Sequence, residues 1–315
     1  MSSIREVLDP ALVETYDAGL PYDFDDISSQ RNRGNTGARA LLHALEQSPD
    51  YSDINTYLTV IPGCEEHKEL TVRIYAPVSI SKPAPAVLFL HGGGCIFGCC
   101  DSHPDYGFRL AKHTDCIVVA PEFRLAPEHP FPAALHDCYA ALQWMAACPD
   151  FDPERIVVCG PSGGGNLTAA LALYARDHGG PKILLQMPLY PMLDYRGTES
   201  SHMIQDRKVH CDYDNRRSWA IYLPENPQEA IQYASPALAE DLTGLPPAFT
   251  FVGTLDPFLS ETLAYFERLT LSGVQSELHV YPGCFHGFEL RAPQSEVSRH
   301  AIERTLAVLK QAFYP

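Results

Sequence analysis

The sequence predicts an α/β fold in which helices cover both faces of a mostly parallel sheet. From Ile54 onward, short β-like runs alternate with amphipathic helical stretches, which is the pattern of such a sheet. Several of the β-like runs are apolar at nearly every position, which indicates strands buried on both faces. Two glycine clusters, HGGG from His91 and GPSGGG from Gly160, each follow one of these runs, so the backbone there turns sharply or approaches another group closely.

The individual elements follow from this alternation in chain order. NTYLTVI and LTVRIYAP flank a polar turn near Gly63 and predict a hairpin at one edge of the sheet. AVLFL, CIVVAP, RIVVCG, KILLQM, AFTFVG and ELHVYP then predict six more strands, which gives eight in total. Apolar positions recur with helical spacing in the segments between them, and helices are predicted over residues 106–113, 132–147, 164–176, 259–271 and 294–312.

One insertion interrupts this rhythm. After Asp194 the sequence is polar, charged and aromatic by turns over residues 195–238, and Trp219 and Tyr222 suggest short helices there. The insertion begins beyond the carboxyl end of a strand, which is where ligands bind in open α/β sheets. We therefore expect residues 195–238 to cover an active site.

Composition narrows the class of protein. The chain has 315 residues, of which 45% are hydrophobic, as in globular proteins with a large core. With 23 basic and 39 acidic side chains its formal net charge is -16, which argues against binding to nucleic acid or to an anionic membrane surface. No segment resembles a secretory signal or a membrane span, so a cytoplasmic protein is expected.

Ten cysteines raise the question of disulfides or a metal site. Cys95, Cys99 and Cys100 do not form two CxxC pairs, and no set of histidine ligands accompanies them. Without a signal peptide, reduced thiols are expected. No nucleotide-binding fingerprint follows the first strand, so neither a metal nor a cofactor is predicted.

The second glycine cluster contains a candidate nucleophile. Gly160, Ser162 and Gly164 match the pattern G-x-S-x-G between an apolar strand and a predicted helix. In that setting a sharp turn lifts the serine hydroxyl above the sheet. A glycine-rich turn between a strand and a helix can also bind phosphate, so the motif gains weight from its context.

A serine hydroxyl needs a general base, and the base needs a carboxylate that fixes its tautomer. In doubly wound hydrolases the order along the chain is serine, acid, histidine, each in a loop after a strand. Asp256 follows AFTFVG and His286 follows ELHVYP, so both fall where this order requires. Asp194 also follows a strand and is the main alternative to Asp256, whereas His279 lies inside a strand and is interpreted as structural.

The first glycine cluster then acquires a role. Acyl transfer forms a tetrahedral oxyanion, and each backbone amide aimed at it contributes about 3 kcal/mol. Gly93 and Gly94 can present amides without an obstructing side chain, and Gly163 supplies the amide after the nucleophile. His91 precedes Ser162 in the chain, as do His103 and His129, and is expected to brace this loop.

Five separated motifs occur in order, namely HGGG, PEFRLAPEHPFPAALHD, GPSGGGNL, LDP and FHGF. Over residues 85–288 the chain resembles the hormone-sensitive lipase family of α/β-hydrolases. The resemblance implies an α/β-hydrolase fold with a helical cap, and a carboxylic ester hydrolase with Ser162 as nucleophile, His286 as general base and Asp256 orienting it. It also implies that residues 1–50 and residues 195–238 pack together as the cap within one domain, 1–315.

Two residues beside the nucleophile depart from the family pattern. Pro161 stands where the family usually has aspartate, and Gly163 stands where it usually has alanine. Proline removes a backbone donor and the carboxylate, so we expect altered stability or substrate preference with retained activity. The amide at position 163 remains available for the oxyanion.

Four phenylalanines lie in or beside the predicted site loops: Phe97, Phe258, Phe285 and Phe288. They are expected to form an apolar substrate pocket, with ordinary core packing as the alternative for each. Members of the family are commonly short-chain esterases, some resembling acetyl esterases. We expect a small-molecule ester with an acyl group from acetyl to about hexanoyl in size.

Other functions remain open at this point. An amidase or peptidase would use the same three side chains. A small-molecule receptor is possible on the same fold, although such relatives tend to lose one of the three residues. A homodimer through an exposed edge strand is also possible.

Overall fold

The computed structural model describes residues 4–224 and 230–315 and has an eight-stranded sheet at its centre. Residues 1–3 and 225–229 of the predicted cap lie outside the described residues. The strands are β1 (Ile54–Cys64), β2 (His67–Pro77), β3 (Ala84–Phe89), β4 (Ile117–Pro121), β5 (Phe151–Pro161), β6 (Leu185–Leu189), β7 (Ala248–Leu255) and β8 (Ser276–Phe285). Their order is β1-β2-β4-β3-β5-β6-β7-β8, and only the pairs β1/β2 and β2/β4 are antiparallel. The predicted mostly parallel sheet is confirmed.

Twelve α-helices are found among the described residues. They are α1 (Ile4–Val7), α2 (Val13–Asp17), α3 (Ile27–Glu46), α4 (Pro104–Thr114), α5 (Ala133–Ala147), α6 (Gly163–Asp177), α7 (Glu199–Met203), α8 (Asp212–Tyr222), α9 (Ile231–Ala234), α10 (Leu259–Leu271), α11 (Phe288–Arg291) and α12 (Glu296–Phe313). Short 3-10 turns occur at Pro10–Leu12, Pro49–Tyr51 and Pro236–Leu238. No helix within residues 4–224 and 230–315 is long and apolar enough to cross a membrane.

Both faces of the sheet are buried, which explains the nearly continuous apolar strands. Successive side chains of a strand point to opposite faces, and Val118 and Val119 of β4 accordingly belong to two different core clusters. Helices α4 and α12 cover one of these clusters, whereas α5, α6 and α10 cover the other. The centre of the sheet therefore has no solvent-facing side. Because its strands are parallel, their carboxyl ends lie along one edge.

Several predicted boundaries shift, among them those of the β1/β2 hairpin and of strand β6. The turn of the β1/β2 hairpin lies at residues 65–66, beyond Gly63, because Cys64 still pairs with His67. Strand β6 occupies Leu185–Leu189, whereas the sequence predicts it from residue 182. The strand pairing begins where Leu185 lies opposite Val157 of β5, and before it the amide of Leu184 donates one further hydrogen bond to the carbonyl of Ile156 at 2.8 Å.

The N-terminal residues and the insertion after Asp194 contact each other. The guanidinium of Arg207 donates to the carbonyl of Tyr22 at 2.8 Å, and Lys208 lies 3.7 Å from a carboxylate oxygen of Asp17. The hydroxyl of Tyr16 also donates to the carboxylate of Asp206. The contacts bring two segments that are far apart in the chain to the same end of the molecule.

Candidate active site

Ser162 lies on a strained turn between β5 and α6. Its backbone angles are φ 58° and ψ -116°, in a region that residues with a side chain rarely adopt. Hydrogen bonds hold the turn: the amide of Ser162 donates to the carbonyl of Leu189 at 2.9 Å, and the amide of Asn166 donates to the carbonyl of Ser162 at 3.0 Å. At Gly164, a Cβ would lie 1.9 Å from the carbonyl oxygen of Leu90, so only glycine permits this approach.

Ser162, His286 and Asp256 form a hydrogen-bonded line. The Ser162 Oγ atom lies 2.9 Å from Nε2 of His286, and Nδ1 of His286 lies 2.8 Å from Oδ2 of Asp256. Asp256 is 1% exposed, and its other oxygen accepts a hydrogen bond from the amide of Phe258 at 2.9 Å. With Nδ1 donating to the carboxylate, Nε2 is left as the acceptor for the serine hydroxyl.

The other acid and histidine candidates point elsewhere. Asp194 forms an ion pair with Arg196 at 2.6 Å, and its carboxylate is engaged there. His279 lies 2.7 Å from Glu277 near the sheet edge. The ring of His91 is stacked on Phe123 with centroids 4.1 Å apart, which agrees with the expected bracing role.

The two glycine turns meet beside Ser162. The carbonyl of Gly93 accepts hydrogen bonds from the amides of Ile96 at 3.0 Å and Phe97 at 2.9 Å, which closes the first turn on itself. A Cβ built on Gly163 would lie 2.5 Å from the amide nitrogen of Gly94. The glycine turn therefore approaches the start of α6 too closely for alanine, which gives a physical reason for Gly163.

A cavity of about 190 Å³ surrounds the serine and the imidazole. Ser162, His286, Gly93, Gly94 and Phe97 all contribute to its wall. The remaining wall residues are largely apolar or aromatic and come from segments far apart in the chain, among them Tyr22, Phe24, Pro161, Tyr190, Met192 and Leu290. Gly163 is not one of the residues that line this cavity, but it lies directly against Gly94 of the glycine turn.

Three of the four phenylalanines predicted for the pocket lie in the core. Phe258, Phe285 and Phe288 are at most 1% exposed and line none of the cavities around the serine, whereas Phe97 contributes to the cavity wall. The rings of Phe258 and His286 lie nearly perpendicular to each other, with centroids 5.0 Å apart. Sequence position next to a strand end does not fix the direction of a side chain, and these rings point inward.

Sequence reasoning missed the wall residues that come from the predicted cap. Tyr22 and Phe24 lie in the N-terminal segment, and the ring of Tyr22 stacks on Phe97 with centroids 5.8 Å apart. His210 lies 4.8 Å from His286, ring to ring. The aromatic residues between acidic ones in PYDFDD were the one signal in the sequence that could have indicated such a contact.

Burial sets the charge of the groups around His286. The pKa of His210 lies well below its ordinary value because the ring is desolvated, with a further contribution from the nearby His286. His210 is therefore neutral at physiological pH. Among the described residues, no group of histidine, cysteine or acidic side chains is arranged to hold a metal ion.

The sequence of the chain is similar to that of known esterases. The sequence model of a family described as having the alpha/beta hydrolase fold matches residues 87–290. Carboxylesterase NlhH of Mycobacterium tuberculosis is 36% identical over 289 residues, which cover 88% of this chain and 89% of that protein. Esterase LipI of the same organism is 32% identical over 319 residues, which cover 97% of this chain and 95% of that protein.

The solved structures lead to the same family. The protein named Bacterial Heroin Esterase matches with a TM-score of 0.91 and 32% identity, over 99% of this chain and 100% of that chain. The predicted fold and family are thus confirmed by sequence and by structure. This chain belongs to the hormone-sensitive lipase family of α/β-hydrolases and is a carboxylic ester hydrolase.

Proposed function

We propose that this protein is a serine esterase that cleaves small acyl esters, from acetyl to about hexanoyl, through an acyl-enzyme on Ser162. The single observation that carries the proposal is the continuous line from the hydroxyl of Ser162 through His286 to Asp256, at 2.9 Å and 2.8 Å. Nucleophile and base within hydrogen-bond reach, with the base oriented by a third group, are what acyl transfer requires.

In the first half of the reaction, Nε2 of His286 accepts the hydroxyl proton while Oγ of Ser162 attacks the ester carbonyl. The carbonyl oxygen becomes an oxyanion, which the amides of Gly93, Gly94 and Gly163 stabilise by about 3 kcal/mol per donor. When the tetrahedral intermediate collapses, His286 returns the proton to the leaving alcohol. Ser162 then carries the acyl group as an ester.

In the second half, a water molecule replaces the alcohol. His286 accepts a proton from this water, which attacks the acyl carbon and forms a second oxyanion. Collapse breaks the bond to Oγ, and the proton returns to Ser162. Throughout, Asp256 keeps Nδ1 protonated and stabilises the imidazolium.

The preference for short acyl groups rests on the size of the cavity. About 190 Å³ is available around Ser162, whereas pockets for drug-sized ligands span roughly 300 to 1,000 Å³. In this proposal, the described parts of residues 1–50 and 195–238 act as the cap over this space. Tyr22 and His210, one from each segment, support this because both line the cavity.

A fluorophosphonate probe tests the chemistry. It should label the wild-type protein and leave Ser162→Ala unlabelled. His286→Ala should lose at least about 10³-fold in kcat, because base catalysis and nucleophile activation fail together. His279→Ala is the matched control and should retain wild-type kcat, since that ring lies against Glu277. A folded wild-type protein that resists the probe would contradict the proposal.

The acyl preference and the reaction class need separate measurements. In a series of nitrophenyl esters, kcat/KM should be highest between acetyl and hexanoyl and fall for longer chains. A maximum of kcat/KM at long acyl chains would contradict the argument from cavity size, but it would not contradict the assignment as an esterase. A matched amide of the best acyl group should be cleaved far more slowly than the ester.

A further inference from the structure

The cavity around Ser162 continues into a larger space on one side. This space, the entrance chamber, has a volume of about 730 Å³ and is bounded by residues 20–33 and by the insertion. It shares Tyr22, Phe24, His210, His286 and Arg291 with the inner cavity. Neither Ser162 nor the glycine turn borders the entrance chamber, so it adjoins the imidazole side of the site.

Because the entrance chamber adjoins His286, it lies on the side where the alcohol portion of the ester is bound. In acyl transfer, Nε2 of His286 must reach the oxygen of the leaving alcohol to protonate it. The alcohol portion therefore lies on the side of His286, and the acyl portion lies toward the glycine turn. A substituent on the alcohol extends into the entrance chamber.

The chamber wall carries more positive than negative charge in a strongly acidic protein. Four cations line it: Arg33, Arg207, Lys208 and Arg291. Two carboxylates also line it, and both are engaged: Asp25 lies 3.6 Å from Arg217, and Asp23 accepts the backbone amides of Asp25 and Asp26 at 3.0 Å and 3.2 Å. The formal net charge of the whole chain is -16, so the chamber departs from the average surface.

Two of these cations are already paired. Arg207 lies 3.9 Å from Asp214, and Lys208 lies 3.7 Å from Asp17. Arg33 and Arg291, in contrast, form no ion pair with any carboxylate in the described part of the chain. Most other arginines of the protein do form such a pair, so the exceptions at the chamber are informative.

Arg291 is held in place without a counter-ion among residues 4–224 and 230–315. Its guanidinium donates to the carbonyls of Lys208 and Thr15, both at 3.2 Å, and lies 4.9 Å from the ring centroid of Phe285. A Cβ at Gly19 would come within 2.9 Å of the guanidinium, so this nitrogen lies directly against the N-terminal backbone. Two carbonyls use only part of the five N–H donors, and the planar group is oriented before any ligand arrives.

We propose that Arg291, assisted by Arg33, recognises an anionic group on the alcohol portion of the ester, a carboxylate or a phosphate. The inference rests on the proposed function, because it places the anion relative to the leaving oxygen. A guanidinium that is held in position, and that no carboxylate of the described residues pairs with, gains a charge-assisted hydrogen bond from such a group. The neutral acyl portion stays in the inner cavity.

Two matched substrates test this. Meta-acetoxybenzoate and meta-acetoxybenzamide have the same acetyl group and nearly the same phenol, and differ in one negative charge. We expect wild-type kcat/KM to be about tenfold higher for the benzoate, and rising salt to lower only the benzoate value. Meta-acetoxyphenyl phosphate, set against phenyl acetate, tells whether phosphate is preferred to carboxylate.

The variant Arg291→Gln should reduce the ratio of benzoate to benzamide turnover by about tenfold, the loss of one hydrogen bond to a charged group. Arg291→Lys keeps the charge but not the planar guanidinium, so its ratio of benzoate to benzamide turnover should lie between those of Arg291→Gln and the wild type. Arg299→Gln is the matched control, because this arginine lies on α12 away from the chamber and forms no ion pair in the described chain. Its ratio should equal that of the wild type.

A wild-type ratio at or below one, without salt dependence, would overturn the inference even if Arg291→Gln fails to fold. An unchanged ratio in folded Arg291→Gln would overturn it as well. In both cases the neutral benzamide ester is still hydrolysed and Ser162 is still labelled by the probe, so the esterase assignment survives. Loss of labelling together with loss of all turnover would instead reject the proposed function.

Discussion

At the scale of single residues, Glu289 is a buried carboxyl group close to the site. Its Oε1 atom accepts hydrogen bonds from the hydroxyls of Tyr106 at 3.0 Å and Tyr190, and the side chain is 0% exposed. The rings of Tyr190 and His286 lie nearly perpendicular to each other, with centroids 5.0 Å apart. Burial raises the pKa of Glu289 from 4.5 to about 7, because the desolvated charge outweighs the two hydrogen bonds.

This shift predicts a pH-dependent stability that Glu289→Gln removes. In the unfolded chain the carboxyl ionises near pH 4.5, whereas in the folded protein it keeps its proton to about pH 7. The stabilising contribution is therefore complete below pH 4.5 and is lost as the pH rises to about 7. The free energy of unfolding of Glu289→Gln should rise relative to wild type across this window by about 3 kcal/mol.

Urea denaturation of both proteins at several pH values measures this difference. Glu277→Gln is the control, because the ion pair with Arg304 lowers the pKa of Glu277. Its wild-type contribution is present above pH 4.5 and is lost at more acidic pH, the opposite direction. Curves for Glu289→Gln and wild type that stay parallel from pH 4.5 to 7 would show that the buried carboxyl does not titrate as described.

At the scale of elements, helix α3 is attached to the glycine turn by one arginine. The guanidinium of Arg31 donates to the carbonyls of Ile96 at 2.6 Å and Ala126 at 2.5 Å, and forms an ion pair with Glu128 at 2.8 Å. The amide of Ile96 donates to the carbonyl of Gly93, and this hydrogen bond helps to close the glycine turn. The N-terminal helix thereby fixes the loop that presents the proposed oxyanion donors.

Arg31→Lys should therefore lower kcat with little change in KM. Lysine has one nitrogen and cannot reach two carbonyls and a carboxylate together, so the loop gains freedom. Removing a whole oxyanion donor costs about 10² to 10³ in kcat, and we expect a loosened loop to cost about tenfold. Steady-state kinetics with a short-chain nitrophenyl ester measure both constants.

Arg39→Lys on the same helix is the comparison. Arg39 forms its ion pair with Asp101 and is 65% exposed, so its replacement should leave kcat unaltered. Equal kcat values for Arg31→Lys and Arg39→Lys would show that the contact with Ile96 does not position the loop. Both variants should unfold at similar temperatures, which separates positioning from global stability.

At the scale of the whole molecule, most of the sheet could be predicted because buried strands are apolar at nearly every position and are separated by helices with a regular apolar spacing. Helix α10 at Leu259–Leu271 has its predicted bounds, and each of the eight strands overlaps a predicted apolar run. Helix α3 was not predicted, because only Leu42 of its 20 residues is buried and no apolar stripe marks it. A helix held by polar contacts leaves no such signal.

The candidate site divides in the same way. Ser162, Asp256 and His286 were predictable because each follows a strand of a sheet whose carboxyl ends meet. The cavity wall was not, since Tyr22 and His210 reach the site only after two distant segments have packed together. The position of a residue in the sequence shows whether it follows a strand, but it shows very little about which distant segments pack together.

The uneven burial predicts uneven stability across the fold. Helix α6 buries twelve of its 15 residues between sheet and neighbouring helices, whereas α3 buries one of 20. Amide hydrogens of α6 should therefore exchange only on global unfolding, and those of α3 through a partial opening of lower free energy. The sheet stays intact in that opening, because α3 contributes just Leu42 to the buried core clusters, with Ile27 and Leu45 packed against them.

Hydrogen exchange followed by mass spectrometry on peptides covering residues 27–46 and 163–177 measures the two opening free energies. We expect the first to lie at least about 2 kcal/mol below the second, and Arg31→Lys to lower the first alone, because it removes contacts that only the attached helix makes. Arg39→Lys should leave this gap nearly unchanged, since exposed ion pairs contribute little. Equal protection of both peptides would mean that polar contacts bind α3 to the core as firmly as apolar burial binds α6. Replacing Arg31 would then not loosen α3 locally, and the proposed positioning of the loop by Arg31 would be contradicted.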